Sequence, residues 1–138
     1  LDPRLPPMER VMHIRTDGFE KLYPFSRLKQ AGVVNDMVGD TQVVLFSREG
    51  LLSVLDAGSI KKSRSILAVT AFERDLNGRA LDFEVRAGEI VDLQTGSRWN
   101  MLGQAIAGEL KGQTLSLAQS GIHFAFAWLA FNPDVEIY

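Results

Sequence analysis

Apolar and polar residues alternate over short stretches of the chain, and turn-forming residues separate the stretches. This period of two predicts half-buried β-strands. Asp17-Gly18 and Gly39-Asp40 are dipeptides that favour tight turns, so each is expected to join a pair of antiparallel strands. The paired segments are Arg10 to Arg15 with Phe19 to Tyr23, and Val33 to Met37 with Thr41 to Phe46.

A strand buried on both faces is expected at the centre of the sheet. Val43 to Phe46 is apolar at every position, a pattern typical of a central strand. Leu51 to Leu55 is predicted to add another strand.

The strongest local signal is Asn77-Gly78, which predicts a hairpin with arms Ile66 to Arg74 and Arg79 to Arg86. In the second arm Leu81, Phe83 and Val85 are expected to face the core. Ala87-Gly88 then turns the chain into a third strand of a meander. That strand is predicted over Glu89 to Leu93.

Two helices interrupt the strands. Pro24 at a helix start and Gly32 at its end predict a short helix over residues 24–31. Ser120 is a good N-cap, and the apolar run that follows predicts a buried helix near residues 121–131. A short final strand is predicted at Val135 to Tyr138, and residues 1–8 read as an extended lead-in. The sequence therefore predicts one α+β domain over residues 1–138 with a mostly antiparallel sheet.

Composition excludes several classes of protein. The 138 residues are 46% hydrophobic and 23% charged, which is typical of a globular domain and not of a disordered chain. The absence of cysteine excludes disulfides, thiolate metal sites and a cysteine nucleophile. A net charge of -2 argues against nucleic-acid binding. The longest apolar run has eight residues, Phe124 to Phe131, too few to cross a bilayer, and the first residues lack a signal-peptide pattern.

Few residues offer catalytic chemistry, and no phosphate loop or zinc motif is present in the sequence. No metal or cofactor is therefore expected. His13 lies on a predicted strand and is interpreted as a half-buried sheet residue. His123 falls at the start of the predicted apolar helix, where the helix dipole favours a neutral imidazole that can act as a base. The alternative is that His123 only caps a core helix.

Five further residues are candidates for binding or catalysis. Arg64 lies among hydroxyls and cations that can hold an anion, and Asp36 beside Asn35 can serve as a general base. Trp99 followed by Asn100 can form a ligand platform. In the simpler alternative, Arg64 is on a solvated loop, Asn35 and Asp36 bond their own backbone, and Trp99 closes a small core.

Six segments in a fixed order carry a resemblance to a known family. They are Tyr23-Pro24, Val33 to Asp36 with Gly39, Thr95 to Asn100, Gly103 to Gly112, His123 to Trp128, and Asn132 to Asp134. From about Arg10 to Tyr138 the chain resembles the bacterial and archaeal DUF3179 family, a domain of unknown function. The resemblance implies a periplasmic or otherwise extracytoplasmic protein, exported or lipid-anchored, and it brings no assigned catalytic residue. Many members carry a Cys-Pro motif where this chain has Ser47 to Gly50, so a thiol role at that place is absent here.

Three functions follow as hypotheses. The first is a non-catalytic cell-envelope module that binds a small ligand or a protein partner. The second is a hydrolase-like or lyase-like enzyme in which Asp36 and His123 act as acid and base and Arg64 or Arg98 holds an anionic group. The third is a structural subunit of a larger complex, in which the apolar helix 122–131 packs on a neighbouring protein or on a second copy of this chain.

Overall fold

The computed structural model of the protein describes residues 4–51 and 65–138. These residues form an α+β fold with mostly antiparallel strand pairing, as the sequence predicts. The strands are β1 Arg10–Thr16, β2 Phe19–Pro24, β3 Val33–Val38, β4 Thr41–Leu51, β5 Ser65–Glu73, β6 Asp75–Leu76, β7 Arg79–Ala80, β8 Phe83–Arg86, β9 Glu89–Asp92, β10 Arg98–Trp99, β11 Ala105–Ala107, β12 Gln119–Phe124 and β13 Glu136–Ile137. The helices are α1 Phe25–Ala31 and α2 Ala125–Leu129.

The strands form three sheets and a small ribbon. The first sheet has the order β12-β1-β2-β13, the central sheet the order β3-β4-β5, and the meander sheet the order β11-β10-β9-β8. The ribbon pairs β6 with β7. Strand β13 runs parallel to β2, whereas the other strand pairs in the described part of the chain are antiparallel.

The central sheet is buried on both faces. Along β4, Val43 and Leu45 pack toward the first sheet, whereas Val44 and Phe46 pack toward the meander sheet. Successive side chains of a strand point to opposite faces, so an apolar run of this kind serves two cores. The prediction of a central strand at this place is confirmed.

A third apolar cluster covers the far face of the first sheet. Val11 of β1 and Leu22 of β2 pack there against Ala125 and Leu129 of α2, with Leu5 beside them. The molecule is therefore layered in the order α2, first sheet, central sheet, meander sheet.

The predicted tight turns are present. Asp17 and Gly18 have φ of 48° and 83°, and Asn77 and Gly78 have φ of 54° and 83°. Two successive positive φ values are those of a type I′ hairpin turn. The prediction of a short helix after Pro24 is also confirmed, because α1 begins at the next residue.

The long arms predicted around Asn77-Gly78 are wrong. Only β6 and β7 pair across that turn, whereas β5 pairs with β4 over nine positions and β8 pairs with β9. The long central strand offers β5 more backbone hydrogen bonds than the local turn does. The prediction that Val85 faces the core is also wrong, because its side chain is 48% exposed. Of the residues of β8, Phe83 is buried, whereas the two residues nearest the turn at Ala87 are exposed. The predicted strand at Leu51 to Leu55 has only its first residue, the end of β4, within the described residues.

The helix predicted near residues 121–131 is present but shorter than expected, since α2 covers Ala125–Leu129. Ser120 is not an N-cap but a residue of β12, and it pairs with Ile14 of β1. Within the apolar segment 122–131, the helical residues are those of α2, of which Ala125 and Leu129 are buried. Helix propensity is a weak preference, and six residues of backbone pairing with β1 outweigh it here. The prediction of a final strand is confirmed by β13.

Candidate functional site

The structure does not gather the predicted site residues into one cleft. Asn35 of β3 bonds the backbone of Phe83: its side-chain oxygen accepts from the Phe83 N–H at 2.9 Å, and its side-chain nitrogen donates to the Phe83 carbonyl at 2.8 Å. Both polar ends of the amide are therefore used to join the central sheet to the meander sheet. Arg64 lies outside the described residues.

Trp99 and Asn100 hold the meander sheet together. Trp99 is 2% exposed, and its Nε1 donates to Asp92 Oδ2 at 2.9 Å. Asp92 is itself buried and also accepts from the N–H and hydroxyl of Thr95. Asn100 bonds Gln104 and the backbone of its own turn. These side chains make contacts within the protein that stabilise turns and a small core.

Asp36 belongs to a polar group that we name the lysine cluster: Lys21, Tyr23, Asp36 and Glu136. Asp36 Oδ2 accepts from the Tyr23 hydroxyl at 2.8 Å and lies 2.8 Å from Lys21 Nζ. Lys21 Nζ is also 3.2 Å from Glu136 Oε2. Lys21 is buried and Tyr23 is fully buried, so the cluster closes the cleft between the first and central sheets.

The contacts within the lysine cluster favour the charged forms of Asp36 and Lys21. Burial acts to raise the pKa of Asp36, but hydrogen bonds from Lys21 and Tyr23 outweigh burial and hold the pKa below its usual value. Burial acts to lower the pKa of Lys21, but Asp36 and Glu136 outweigh it and raise the pKa. Burial and then the hydrogen bond to Asp36 raise the pKa of Tyr23. Asp36 is thus an ionised partner in an ion pair, a poor environment for a general base.

His123 lies in a second group, which we name the imidazole cluster: His13, His123 and Trp128. Contrary to the prediction, His123 is on strand β12 and not at a helix N-terminus. The ring centroids of His13 and His123 are 6.0 Å apart, those of His13 and Trp128 are 4.0 Å apart, and those of His123 and Trp128 are 5.7 Å apart. Pairing of β1 with β12 brings the two histidines together across 110 residues of sequence.

Gly121 makes room for this arrangement. It is the residue of β12 directly opposite His13, and a Cβ placed on it would lie 3.2 Å from His123 Nε2. The His123 ring therefore lies over the glycine, beside His13. An ordinary side chain at position 121 would crowd it.

The His13 imidazole is buried without a complete set of partners. His13 is 8% exposed, and its Nε2 has no hydrogen bond within the described part of the chain. The nearest carboxylate oxygen, Glu20 Oε1, is 3.6 Å away, too far for a hydrogen bond. That oxygen already accepts from Arg15 Nε at 2.8 Å. Burial, which outweighs the attraction of Glu20, lowers the pKa of His13.

The two clusters lie on opposite faces of the first sheet. His13 shares a face with Val11 under α2, whereas Tyr23 and Met12 face the central sheet. Asp36 approaches from the central-sheet side and His123 lies on the α2 side. The predicted acid and base are therefore separated by the sheet.

Sequence reasoning missed several buried polar residues. Arg74 donates to the carbonyl oxygens of Val43 at 2.7 Å, Leu81 at 3.3 Å and Asp36 at 3.2 Å, and it pairs with Asp82 at 3.1 Å. No local pattern marks such a clamp, because its partners come from distant segments. The small residue Gly121 lies opposite His13 and makes room for the His123 ring. This signal for the imidazole cluster can be recognised only when the register of β1 and β12 is known.

Apolar side chains are exposed where α2 meets the N-terminal segment. The rings of Phe124 and Phe126 stack with centroids 6.2 Å apart, and the Arg10 guanidinium lies 5.8 Å from the Phe124 centroid. Phe126 is 49% exposed and Met8 is more exposed still. The backbone N–H of Phe126 donates to Pro7, which holds Met8 nearby. We name Met8, Arg10, Phe124 and Phe126 the aromatic surface.

Open grooves lie elsewhere on the described surface, and two of them have volumes of about 470 and 530 Å³. Both are rich in carboxylates, and neither is lined by His123, Asp36 or Trp99. The charged and aromatic residues of the first are Phe19, Glu20, Phe131, Asp134 and Glu136, and the charged residues of the second are Asp40, Glu73 and Asp75. Within the described residues, no group of three histidine, aspartate or glutamate side chains is arranged to hold a metal ion. Neither described helix has the length and apolar character needed to cross a bilayer.

Comparison with known proteins gives a family and nothing finer. A search of curated proteins and a search of solved structures each found no match. The family model described as "Protein of unknown function (DUF3179)" matches residues 1–135, nearly the whole chain. The protein belongs to the DUF3179 family.

Proposed function

We propose that the protein is a non-catalytic module of the cell envelope that binds a protein partner through the aromatic surface. The observation that carries the proposal is the stacked pair Phe124 and Phe126 at the edge of the first sheet, with an arginine beside it. Exposed aromatic and arginine side chains are enriched at the centres of protein interfaces.

The residues proposed from sequence as a reaction centre support this choice indirectly. Asn35, Trp99 and Asn100 bond other parts of the fold, and Asp36 is held ionised by Lys21. A general base needs a free lone pair within reach of a substrate proton. The aromatic surface, in contrast, exposes the side chains of Met8, Phe124 and Phe126 to solvent, where a partner can contact them.

Arg10 indicates the chemistry of the partner. The Arg10 guanidinium contacts the Phe124 ring, and no carboxylate among residues 4–51 and 65–138 forms an ion pair with Arg10. A partner segment with a carboxylate between apolar side chains satisfies both the guanidinium and the rings. We therefore assign the surface to an acidic, apolar segment of another protein. Placement in the envelope follows from the resemblance stated above.

Photocrosslinking in cells tests the proposal. A benzoylphenylalanine at position 126 is expected to crosslink to one discrete partner, and the same residue at position 102 serves as the control, because Leu102 is also exposed but lies in a meander-sheet turn. With the partner identified from the adduct and purified, Arg10→Glu is expected to weaken its binding about tenfold or more.

Three results would contradict the proposal. Equal crosslinking at positions 126 and 102 would show nonspecific contact. An adduct containing only two copies of this chain would favour the homo-oligomer. Unchanged affinity of Arg10→Glu for the purified partner would remove the assigned chemistry.

A further inference from the structure

The imidazole cluster contains a buried titratable residue, His13, that the proposed binding surface does not use. His13 lies between β12 on one side and β2 on the other, and Trp128 of α2 stacks on its ring. Its Nε2 is shielded from solvent and has no hydrogen-bond partner among residues 4–51 and 65–138. A neutral imidazole tolerates this environment far better than an imidazolium, since a buried charge needs a partner.

The groups around His13 do not compensate a positive charge. From β12, His123 faces it at 6.0 Å between centroids, and from β1, Arg15 lies on the same face. From β2, Glu20 is within 3.6 Å, but its near oxygen is bound by Arg15. Helix α2 contributes Trp128 and has no charged residue. Two imidazoles and a guanidinium therefore surround one carboxylate.

Trp128 connects this cluster to the aromatic surface. Its ring packs on both histidines, and Phe126 of the aromatic surface is two residues earlier on the same short helix. Helix α2 has five residues, and a helix this short depends on such packing for its position.

We propose that mild acid releases α2 from the first sheet by protonating the buried His13 beneath Trp128, and that this release displaces the aromatic surface and weakens partner binding. The regulatory part of this inference rests on the proposed function. The release of α2 does not, and it can be measured without any partner.

The sign of the pH dependence follows from the burial of His13. Because burial lowers the pKa of His13 in the folded protein, the unfolded chain binds the proton first as the pH falls. The stability that the neutral imidazole contributes is complete well above about pH 6.5 and is lost as the pH falls below that value toward the folded pKa.

Fluorine NMR of protein labelled with 5-fluorotryptophan measures the release directly. The chain has two tryptophans, so Trp99 in the meander sheet is an internal control for Trp128. Between about pH 7.5 and 5 the Trp128 resonance is expected to move or broaden while the Trp99 resonance stays fixed. In His13→Phe, which keeps an aromatic ring against Trp128, the change is expected to disappear.

An unchanged Trp128 resonance across this range overturns the proposal, and so does the same change in His13→Phe. Movement of both tryptophans together would indicate global unfolding and would also overturn it. If His13→Phe does not fold, proton-nitrogen spectra of the wild-type imidazoles decide, because His13 must titrate together with the Trp128 change.

The regulatory part is tested by the position-126 crosslink at the two pH values. A drop of about fivefold or more in acid supports it, whereas an unchanged yield overturns it. If no crosslink forms at either pH, the proposed function fails, and the fluorine spectra still decide whether α2 is released.

Discussion

The two faces of the first sheet bury polar side chains in opposite ways. On the face toward the central sheet, Lys21 has two carboxylates within 3.2 Å, and Asp36 accepts from a tyrosine as well. On the face toward α2, His13 is equally buried, but its Nε2 makes no hydrogen bond to any residue that the structure describes. Burial alone does not set the energetic role of a polar group. Paired groups stabilise the fold, whereas an unpaired one makes it sensitive to protonation.

The largest effect is expected from breaking the lysine cluster. Among the described residues, Asp36→Ala leaves the buried Lys21 ammonium with the exposed Glu136 as its one remaining carboxylate, and it removes the acceptor of the Tyr23 hydroxyl. The free energy of unfolding, measured by urea denaturation, is expected to fall by about 3 kcal/mol. The matched control is Glu84→Ala, which breaks an exposed pair with Arg86 and is expected to cost less than about 1 kcal/mol. Equal losses in the two variants would show that the cluster does not stabilise the fold.

A smaller effect with a defined pH dependence is expected from Asp36→Asn. Loss of the charge is expected to cost about 2 kcal/mol near neutral pH, as for a hydrogen bond to a charged group. Because the folded pKa of Asp36 is lowered, the stability difference from wild type is complete above about pH 4 and shrinks as the pH falls through the folded pKa. Both proteins carry His13, so its contribution cancels in the difference. A difference that grows in acid would contradict the assigned pairing.

The smallest effect is expected on the imidazole side. In Gly121→Ala the new Cβ meets His123 Nε2, and the ring must shift, at an expected cost of about 1 kcal/mol. Gly50→Ala is the control, since Gly50 is also a strand glycine, and no atom of the described residues lies within 4 Å of a Cβ placed on it. There, reduced freedom of the unfolded chain is expected to leave stability unchanged or raise it by about 0.5 kcal/mol. Thermal denaturation of both variants checks the comparison, and a stabilised Gly121→Ala would show that the ring is not confined.

Local chemistry explains which parts of the fold could be predicted. Asp17-Gly18 and Asn77-Gly78 adopt the positive φ values that their residue types favour, and Val43 to Phe46 is apolar because β4 serves two cores. These features depend on a few neighbouring residues. Together, these turns and strands were enough to predict the α+β fold class.

Features that depend on distant partners could not be predicted. The apolar segment from Ile122 onward is divided between a strand and a short helix because β1 offers a pairing edge to its first half. The same register joins His13 to His123. Asp36 was a candidate base only while its contacts with Lys21 and Tyr23 were unknown.

The Arg74 clamp has a consequence for the order of folding. Its guanidinium binds carbonyl oxygens at positions 36, 43 and 81, so its desolvation is compensated only after the central sheet has formed and the chain beyond β7 has returned to it. Contacts that close such loops are late events in a folding pathway. We therefore expect loss of the Arg74 guanidinium to speed unfolding while leaving the folding rate nearly unchanged, which would shorten the lifetime of the native state.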